Sequence, residues 1–243
     1  MMTPDLYNEG TYLANNPGWH QGDSAWKADG VDSILSSAGL RPVSYVEVGC
    51  GAGGIIAELA RRHPDALATG FDVSGDAARL WPVERPTNLN YRLDDFRETT
   101  ERYDTLLLID VFEHVEDYIG FLRSLRTRAT NFVFHIPLDL SVLTILRGSY
   151  MAGRVDVGHL HYFTRASALA TLEYAGYRIE DSFFTSLSIE ASRDKRTWKT
   201  VAANLPRRML RAVHSGAAST LLGGFSLMVR ATPVLNTGDD HGT

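Results

Sequence analysis

The chain has a single cysteine, Cys50, among 243 residues. That excludes an intramolecular disulfide and any zinc cage built from several thiolates. It also lacks an apolar run approaching the roughly 20 residues needed to span a bilayer. The formal net charge is −5, so there is no global basic footprint for nucleic acid. The opening MMTPDLYNEG lacks the basic and apolar regions of a secretory signal, and the expected location is the cytoplasm. No internal repeat is visible. What is present is ordinary for a globular chain: 44% hydrophobic and 22% charged residues, enough for one large domain or two small ones.

Residues 15–18 (NNPG) form a turn cluster, and 24–38 read as a helix with Ser24 as N-cap. Trp26, Val31, Ile34 and Leu35 share one face of that helix, and Gly39 can stop it. Strands and helices then alternate. Strands are expected at 43–49, 67–73, 89–94, 103–109, 131–136, 177–184 and 225–231, the fifth closed by Pro137. Helices are expected at 55–62, near 75–81, at 117–126 and at 165–176, the last capped by Gly176. Such alternation implies a parallel sheet covered on both faces. The tail 236–243 (NTGDDHGT) is expected to be disordered.

The sharpest local signal is VEVGCGAGG, residues 46–54. A strand enters a glycine turn and leaves as a helix. Glycines let the backbone approach a ligand, and the helix start offers free N–H groups. Gly49, Gly51 and Gly54 spell G-x-G-x-x-G, so a nicotinamide dinucleotide is one reading. Glu47 argues against it: an acid two residues before the first glycine would repel a pyrophosphate but suits a cationic amino-acid cofactor.

In order, VEVGCGAGG, GFDVS (70–74), LDDF (93–96) and LLLIDVFEHVED (106–117) resemble the class I S-adenosylmethionine-dependent methyltransferases. The resemblance covers residues 30–185. The nearest likeness is to a small-molecule group that includes ubiquinone-pathway O-methyltransferases and natural-product or sugar methyltransferases, a likeness the stretch GHLHYFTRASALATLEYAGYRI (158–179) shares.

That resemblance implies an α/β fold: a doubly wound, Rossmann-like sheet of seven strands, mostly parallel with the last antiparallel. It implies a lid segment and helix over 1–40, and a methyltransferase domain over 41–235 with a helical insertion near 190–222. Glu47, Gly49, Cys50, Gly51 and Gly53 would line the methionine end of S-adenosylmethionine. Asp72 would accept from the ribose hydroxyls, and Val73 would lie on the adenine. Asp95 with Phe96, or the rival Asp94, would meet the adenine amino group. Ile109 and Asp110 would close the pocket. The family usually has Asp where Glu47 stands. Trp19, His20, Trp26 and Lys27 lie before the core, and at least one is expected at the pocket, with Trp26 placed among the cofactor contacts. The implied product is S-adenosylhomocysteine. The implied partner is a small-molecule acceptor, methylated at oxygen, with no nucleic acid and no membrane span, for a monomer or homodimer. A sugar acceptor and a non-catalytic cofactor-binding protein are the alternatives.

IDVFEHVED (109–117) sits where the fourth strand ends. Asp110, Glu113 and His114 share a face at i, i+3, i+4 spacing. Three readings stay open. The segment can be scaffold, with Glu116 and Asp117 opening the next helix. One of His114, His159 and His161 can be a general base; an extended GHLHYF would point His159 and His161 the same way. Or Asp110, Glu113 and His114 with His159 or His161 can hold a divalent cation, in the manner of some relatives that methylate small RNAs at a ribose 2′-hydroxyl. No metal is otherwise implied. His135 and Asp139 are expected near the cleft, and Tyr150 and Met151 are candidates for an acceptor pocket. Residues 193–214 hold seven basic residues against Asp194, suited to a phosphorylated acceptor, an anionic membrane surface, or simply solvent.

Overall fold

The computed structural model describes residues 19, 21–151, 154, 157–186 and 198–234, with backbone alone over 198–204 and at 206. The turn at 15–18, His20, the basic residues 193, 195 and 196 and the tail lie outside the described residues. Seven strands form one sheet, β1 (Ser44–Val48), β2 (Leu67–Asp72), β3 (Leu89–Leu93), β4 (Tyr103–Ile109), β5 (Ala129–Leu138), β6 (Tyr177–Thr185) and β7 (Phe225–Pro233). Their order is β3-β2-β1-β4-β5-β7-β6. β7 runs antiparallel to both β5 and β6, and β1 to β5 pair in parallel.

Side-chain alternation along β4 explains the two layers. Leu106 and Leu108 point into a cluster with Phe132, Phe134, Phe121 and Leu172. This face is covered by α4 (Tyr118–Leu125) and α6 (Arg165–Tyr174). Leu107 and Ile109 point the other way, to Ile34, Ile56, Leu59 and Met228. Here α1 (Ser24–Ser36) and α2 (Gly54–Arg62) cover the sheet. A central strand buried on both faces must be apolar throughout, which is what the Leu106–Leu108 run records. Gly30 lies where α1 crosses β7: a Cβ there would come within 2.7 Å of the Met228 side chain. α1 is therefore core over most of its length, and only its first turn overhangs the site.

Two departures from the sequence reading have plain causes. Pro137 does not close β5 but lies inside it, paired with Ser226 of β7. β4 makes its last pairing at His135, so from there β5 is open on that side and tolerates a residue without an N–H. A short helix, α5 (Val142–Arg147), was not expected; it is started by a capping box of Ser141 and Thr144. α3 (Gly75–Ala78) is shorter than expected. α7 (Trp198–Leu222) fills the interval between β6 and β7 and is broken at His214, whose backbone is non-helical.

The C-terminal ends of β1, β2, β4 and β5 meet along one edge, where open α/β sheets bind ligands. The glycine turn after β1 is built there. Gly51 and Gly53 adopt positive φ of 53° and 74°. A side chain at Gly53 would run into the Tyr91 ring, whose hydroxyl donates to the Gly53 carbonyl at 2.8 Å. Gly53→Ala is expected to lower stability by at least about 1–2 kcal/mol, through left-handed backbone strain and overpacking. A thermal melt equal to wild type would show that the turn tolerates a Cβ.

Candidate functional site

The turn is anchored before any ligand arrives. Gly49 and Cys50 donate their N–H groups to the Phe71 carbonyl at 2.8 and 2.9 Å. Asp72, at the end of β2, accepts from Gly51 N at 2.7 Å and Ser74 N at 2.8 Å. Burial raises the Asp72 pKa, and those N–H groups offset part of the rise. Each carboxylate oxygen has a second lone pair, so Asp72 keeps acceptor capacity. Trp81 stacks on Tyr91 and donates to the Gly51 carbonyl at 2.8 Å. Burial pushes up the Cys50 thiol, reinforced by Glu47 and Asp72, so it stays protonated.

Glu47 is buried on β1 and accepts from Ile56 N at 3.0 Å. Burial lifts its pKa to about 8, with Asp72 and Asp110 adding to the rise and Ile56 and Lys27 opposing it. Across the site stands Asp110, a non-glycine residue at φ +54° directly after β4. Its Oδ2 accepts from Lys27 Nζ at 2.7 Å, and its Oδ1 lies 2.6 Å from His135 Nδ1. His135 Nε2 in turn lies 2.8 Å from Thr185 Oγ1. Withdrawal from water works against charge on both Lys27 and Asp110. The ion pair outweighs it, raising Lys27 and, with His135, holding Asp110 far below the usual carboxylate range.

A cavity of about 270 Å³ lies between these groups. Its floor is the turn and strand ends: Glu47, Gly49, Cys50, Gly51, Ala52, Ile109 and Asp110. Its roof is Trp19 and the start of α1, including Ser24, Trp26 and Lys27. Its far wall holds His114, His135, Pro137, Val157, His159 and Ser226. Trp26 packs edge-on against His135, and its buried Nε1 has no hydrogen-bond partner among the described residues.

At the far wall, His159 is nearly buried and its Nδ1 lies 2.7 Å from Asp139 Oδ2. Its ring meets His114 edge-on at 4.9 Å. Burial, then the neighbouring His159, depresses the His114 pKa to about 4. Glu113 is fully buried, and among the described residues neither carboxylate oxygen accepts a hydrogen bond; His114 Nε2 lies 3.9 Å from Oε1. Burial and the negative charge of Asp110 raise its pKa well above the ordinary range. One donor atom each from Glu113, His114 and His159 lie within 4.8 Å of one another.

Several expected residues stand elsewhere. Residues 158–161 are not a strand: Leu160 and His161 both donate their N–H groups to the Glu113 carbonyl. His161 is thereby turned away from the cavity, bonded to the Val115 carbonyl at 2.9 Å and packed on Tyr118. Asp110 is not among the clustered metal donors, because its oxygens serve Lys27 and His135. Gly53 backs onto Tyr91 rather than the cavity. Asp72, Val73, Asp94, Asp95 and Phe96 lie beyond the cavity lining. Val73 is exposed beside Asp72, whereas the Phe96 ring is core against Phe71. Asp95 caps the turn after β3 and binds Arg97, and Asp94 pairs with Arg92. Tyr150 and Met151 contact Tyr162 instead. The sequence carried no signal for the pairing of Lys27 with Asp110, 83 positions apart, or of His135 with Thr185.

With the geometry in place, the comparisons are specific. A family model described as "Methyltransferase domain" matches residues 19–182. The chain belongs to that family and is a methyltransferase domain of the class I, S-adenosylmethionine-dependent type. It is 35% identical over 102 residues to a ubiquinone biosynthesis O-methyltransferase of Vibrio vulnificus (strain YJ016), covering 39% of this chain and 43% of that protein. It is 27% identical over 161 residues to the protein of the same name from Aeromonas salmonicida (strain A449), covering 60% and 67% respectively. The fold resembles magnesium protoporphyrin IX methyltransferase from Synechocystis PCC 6803 with bound S-adenosylhomocysteine. The TM-score is 0.59 at 17% identity, over 94% of this chain and 96% of that one.

Glu47 makes stability depend on pH. Its folded pKa of about 8 lies above the ordinary 4.5, so the unfolded chain releases the proton first. Its contribution is full below pH 4.5 and is lost as pH rises through about 8, up to about 5 kcal/mol in all. The ligand-free protein should therefore melt lower at pH 8.5 than at pH 5.5, and Glu47→Gln should flatten that slope. A slope unchanged by the substitution would mean that Glu47 is ionised in the fold.

Proposed function

We propose that the chain moves a methyl group from S-adenosylmethionine to a hydroxyl of a small molecule, with a natural product or secondary metabolite as the acceptor class. The observation that carries this reading is that one cavity is lined both by the glycine turn and by His159, a histidine held by a carboxylate. The O-methyltransferase names of the curated relatives support oxygen as the acceptor atom. A sugar is the alternative acceptor.

The residues present fit the cofactor. The turn leaves no room for side chains at Gly51, where a Cβ would meet Trp19, so backbone alone faces that space. Trp26 lines the cavity, and its Nε1 is a buried donor with no acceptor among the described residues. Glu47, protonated in the ligand-free site, would be drawn back toward its charged form by the cofactor's ammonium, and Lys27, paired with Asp110, lines the same cavity. Asp72 would take the ribose hydroxyls, with Val73 beside the base. The bound cofactor supplies an activated methyl group on a sulfonium.

The chain's own work is positioning and proton removal. Holding the acceptor at near-attack distance supplies much of the rate. With Nδ1–H donated to Asp139, the other nitrogen of His159 accepts the hydroxyl proton. His114, neutral down to about pH 4, adds no positive charge beside it. Trp19 and the first turn of α1 roof part of the cavity.

A second reading rests on Glu113. A carboxylate oxygen of Glu113, which accepts no hydrogen bond among the described residues, forms with His114 and His159 a donor set for a divalent cation. Such an ion would polarise the acceptor hydroxyl and release Glu113 from its desolvated state. Chelation followed by dialysis separates the two readings: activity that disappears and returns with added Mg²⁺, Mn²⁺ or Zn²⁺ favours the ion, and unchanged activity favours the base.

His159→Ala is expected to lower kcat by on the order of 10²–10⁴ while leaving S-adenosylhomocysteine affinity within a few-fold of wild type. Full turnover by this variant would remove His159 from the chemistry. Asp72→Ala is expected to weaken cofactor binding roughly tenfold or more in calorimetry, through loss of a charged acceptor. If the wild type binds cofactor but transfers no label to any acceptor in single turnover, the chain is a cofactor-binding partner protein instead.

A further inference from the structure

Away from the cavity, α5 and α7 pack together and turn their large apolar side chains outward. Val142, Ile145 and Leu146 of α5 are exposed, Leu146 at 79%. Leu205, Met209 and Val213 of α7 are exposed too, Val213 at 85%. In each helix the spacing sets the three on one stripe. Arg207 of α7 binds the Gly223 carbonyl, and Gly223 lies against Ser141 and Thr144 at the start of α5, so both exposed stripes belong to one region of the surface.

The two helices carry charge of one sign. Neither Val142–Arg147 nor Trp198–Leu222 contains a single Asp or Glu, although the whole chain has 29. Arg147 and Arg208 are exposed beside the stripes. Arg207 has a different task. It reaches the carbonyls of Gly223 at 2.9 Å and Leu222 at 3.3 Å. A straight helix would set Arg207 and Leu222 roughly 22 Å apart at 1.5 Å per residue. The break at His214 folds the first half of α7 back, and Arg207 fastens the fold by binding the carbonyls at the helix end. The apolar stripe is thus held in place by the structure, and Arg207 is not part of a surface anion site.

We propose that this patch docks the protein on an anionic lipid surface, with the α5 and α7 stripes lying in the interface and the arginines among the headgroups. The combination of apolar face and basic flank is that of an interfacial helix. No helix among the described residues is long and apolar enough to cross a membrane, so the contact is peripheral. A second copy of the chain is the poorer occupant. A two-fold interface uses the same patch from both copies, so it would gather the arginines of both with no acid on either helix to answer them. The patch also adjoins the cavity. Gly223, where α7 ends, packs against Ser141 and Thr144 at the start of α5, and Ser226, three residues on, lines the cavity. Docking would bring the acceptor side of the site to the bilayer.

The test is flotation of the full chain with phosphatidylcholine vesicles, with and without phosphatidylglycerol. The expected result is binding only when the anionic lipid is present, weakened by salt and abolished by Leu146→Glu with Val213→Glu. Arg208→Ala should weaken it on the order of fivefold. These substitutions are at exposed positions, and a melt matching wild type checks the fold. Absence of binding to anionic vesicles at low salt would overturn the proposal, as would undiminished binding by the double variant. A wild-type dimer in sedimentation velocity that the double variant dissociates would also overturn it, and would assign the patch to a subunit interface.

Discussion

The site depends on how Asp110 is held. It leaves β4 in a left-handed conformation that costs a non-glycine residue about 1 kcal/mol or more, and its two oxygens then face two different elements. Lys27 ties it to α1, His135 ties it to β5, and Thr185 extends the chain of contacts to β6. A charge pair withdrawn from water is weak evidence for net stability, but removing one member leaves the other uncompensated. The network therefore acts less as glue than as a fixed register. It sets where the first turn of α1 lies over the glycine turn, and so where Trp26 and Ser24 meet the cavity.

The sheet itself was legible because its signals are local. The apolar Leu106–Leu108 run, the glycines after β1 and the alternation of strand and helix each follow from a few neighbouring residues. The end of β5 was misread because proline punctuates most strands, and only the sheet's edges reveal that β4 has already stopped pairing. Within the site, residues on the glycine turn were legible because close backbone approach demands glycine. His161 was not: alternation placed it beside His159, but two N–H bonds to the Glu113 carbonyl replace the strand with a tight crossing. Contacts between distant positions, such as Lys27 with Asp110, leave no mark in one sequence.

The far wall shows how one environment separates similar groups. His114 and His159 are neighbours, yet the Asp139 carboxylate holds His159 Nδ1, while His114 is driven toward neutrality by burial. Glu113 beneath them is a desolvated acid whose oxygens accept no hydrogen bond among the described residues, which is costly unless it is protonated or bound to something positive. Asp110 and Glu113, three residues apart in one turn, thus end with pKa values moved in opposite directions. The difference lies in partners rather than depth: Asp110 is bonded to Lys27 and His135, whereas Glu113 faces the neutral His114 at 3.9 Å.

The most direct test of the account is calorimetric titration of S-adenosylmethionine into the wild-type chain and into Lys27→Met. The cavity beneath α1 predicts one binding site in the wild type and markedly weaker binding in the variant, whose α1 is no longer clasped to Asp110. No binding by the wild type would contradict the assignment of the cavity. Equal affinity of the two proteins would contradict the place given to the Lys27–Asp110 pair.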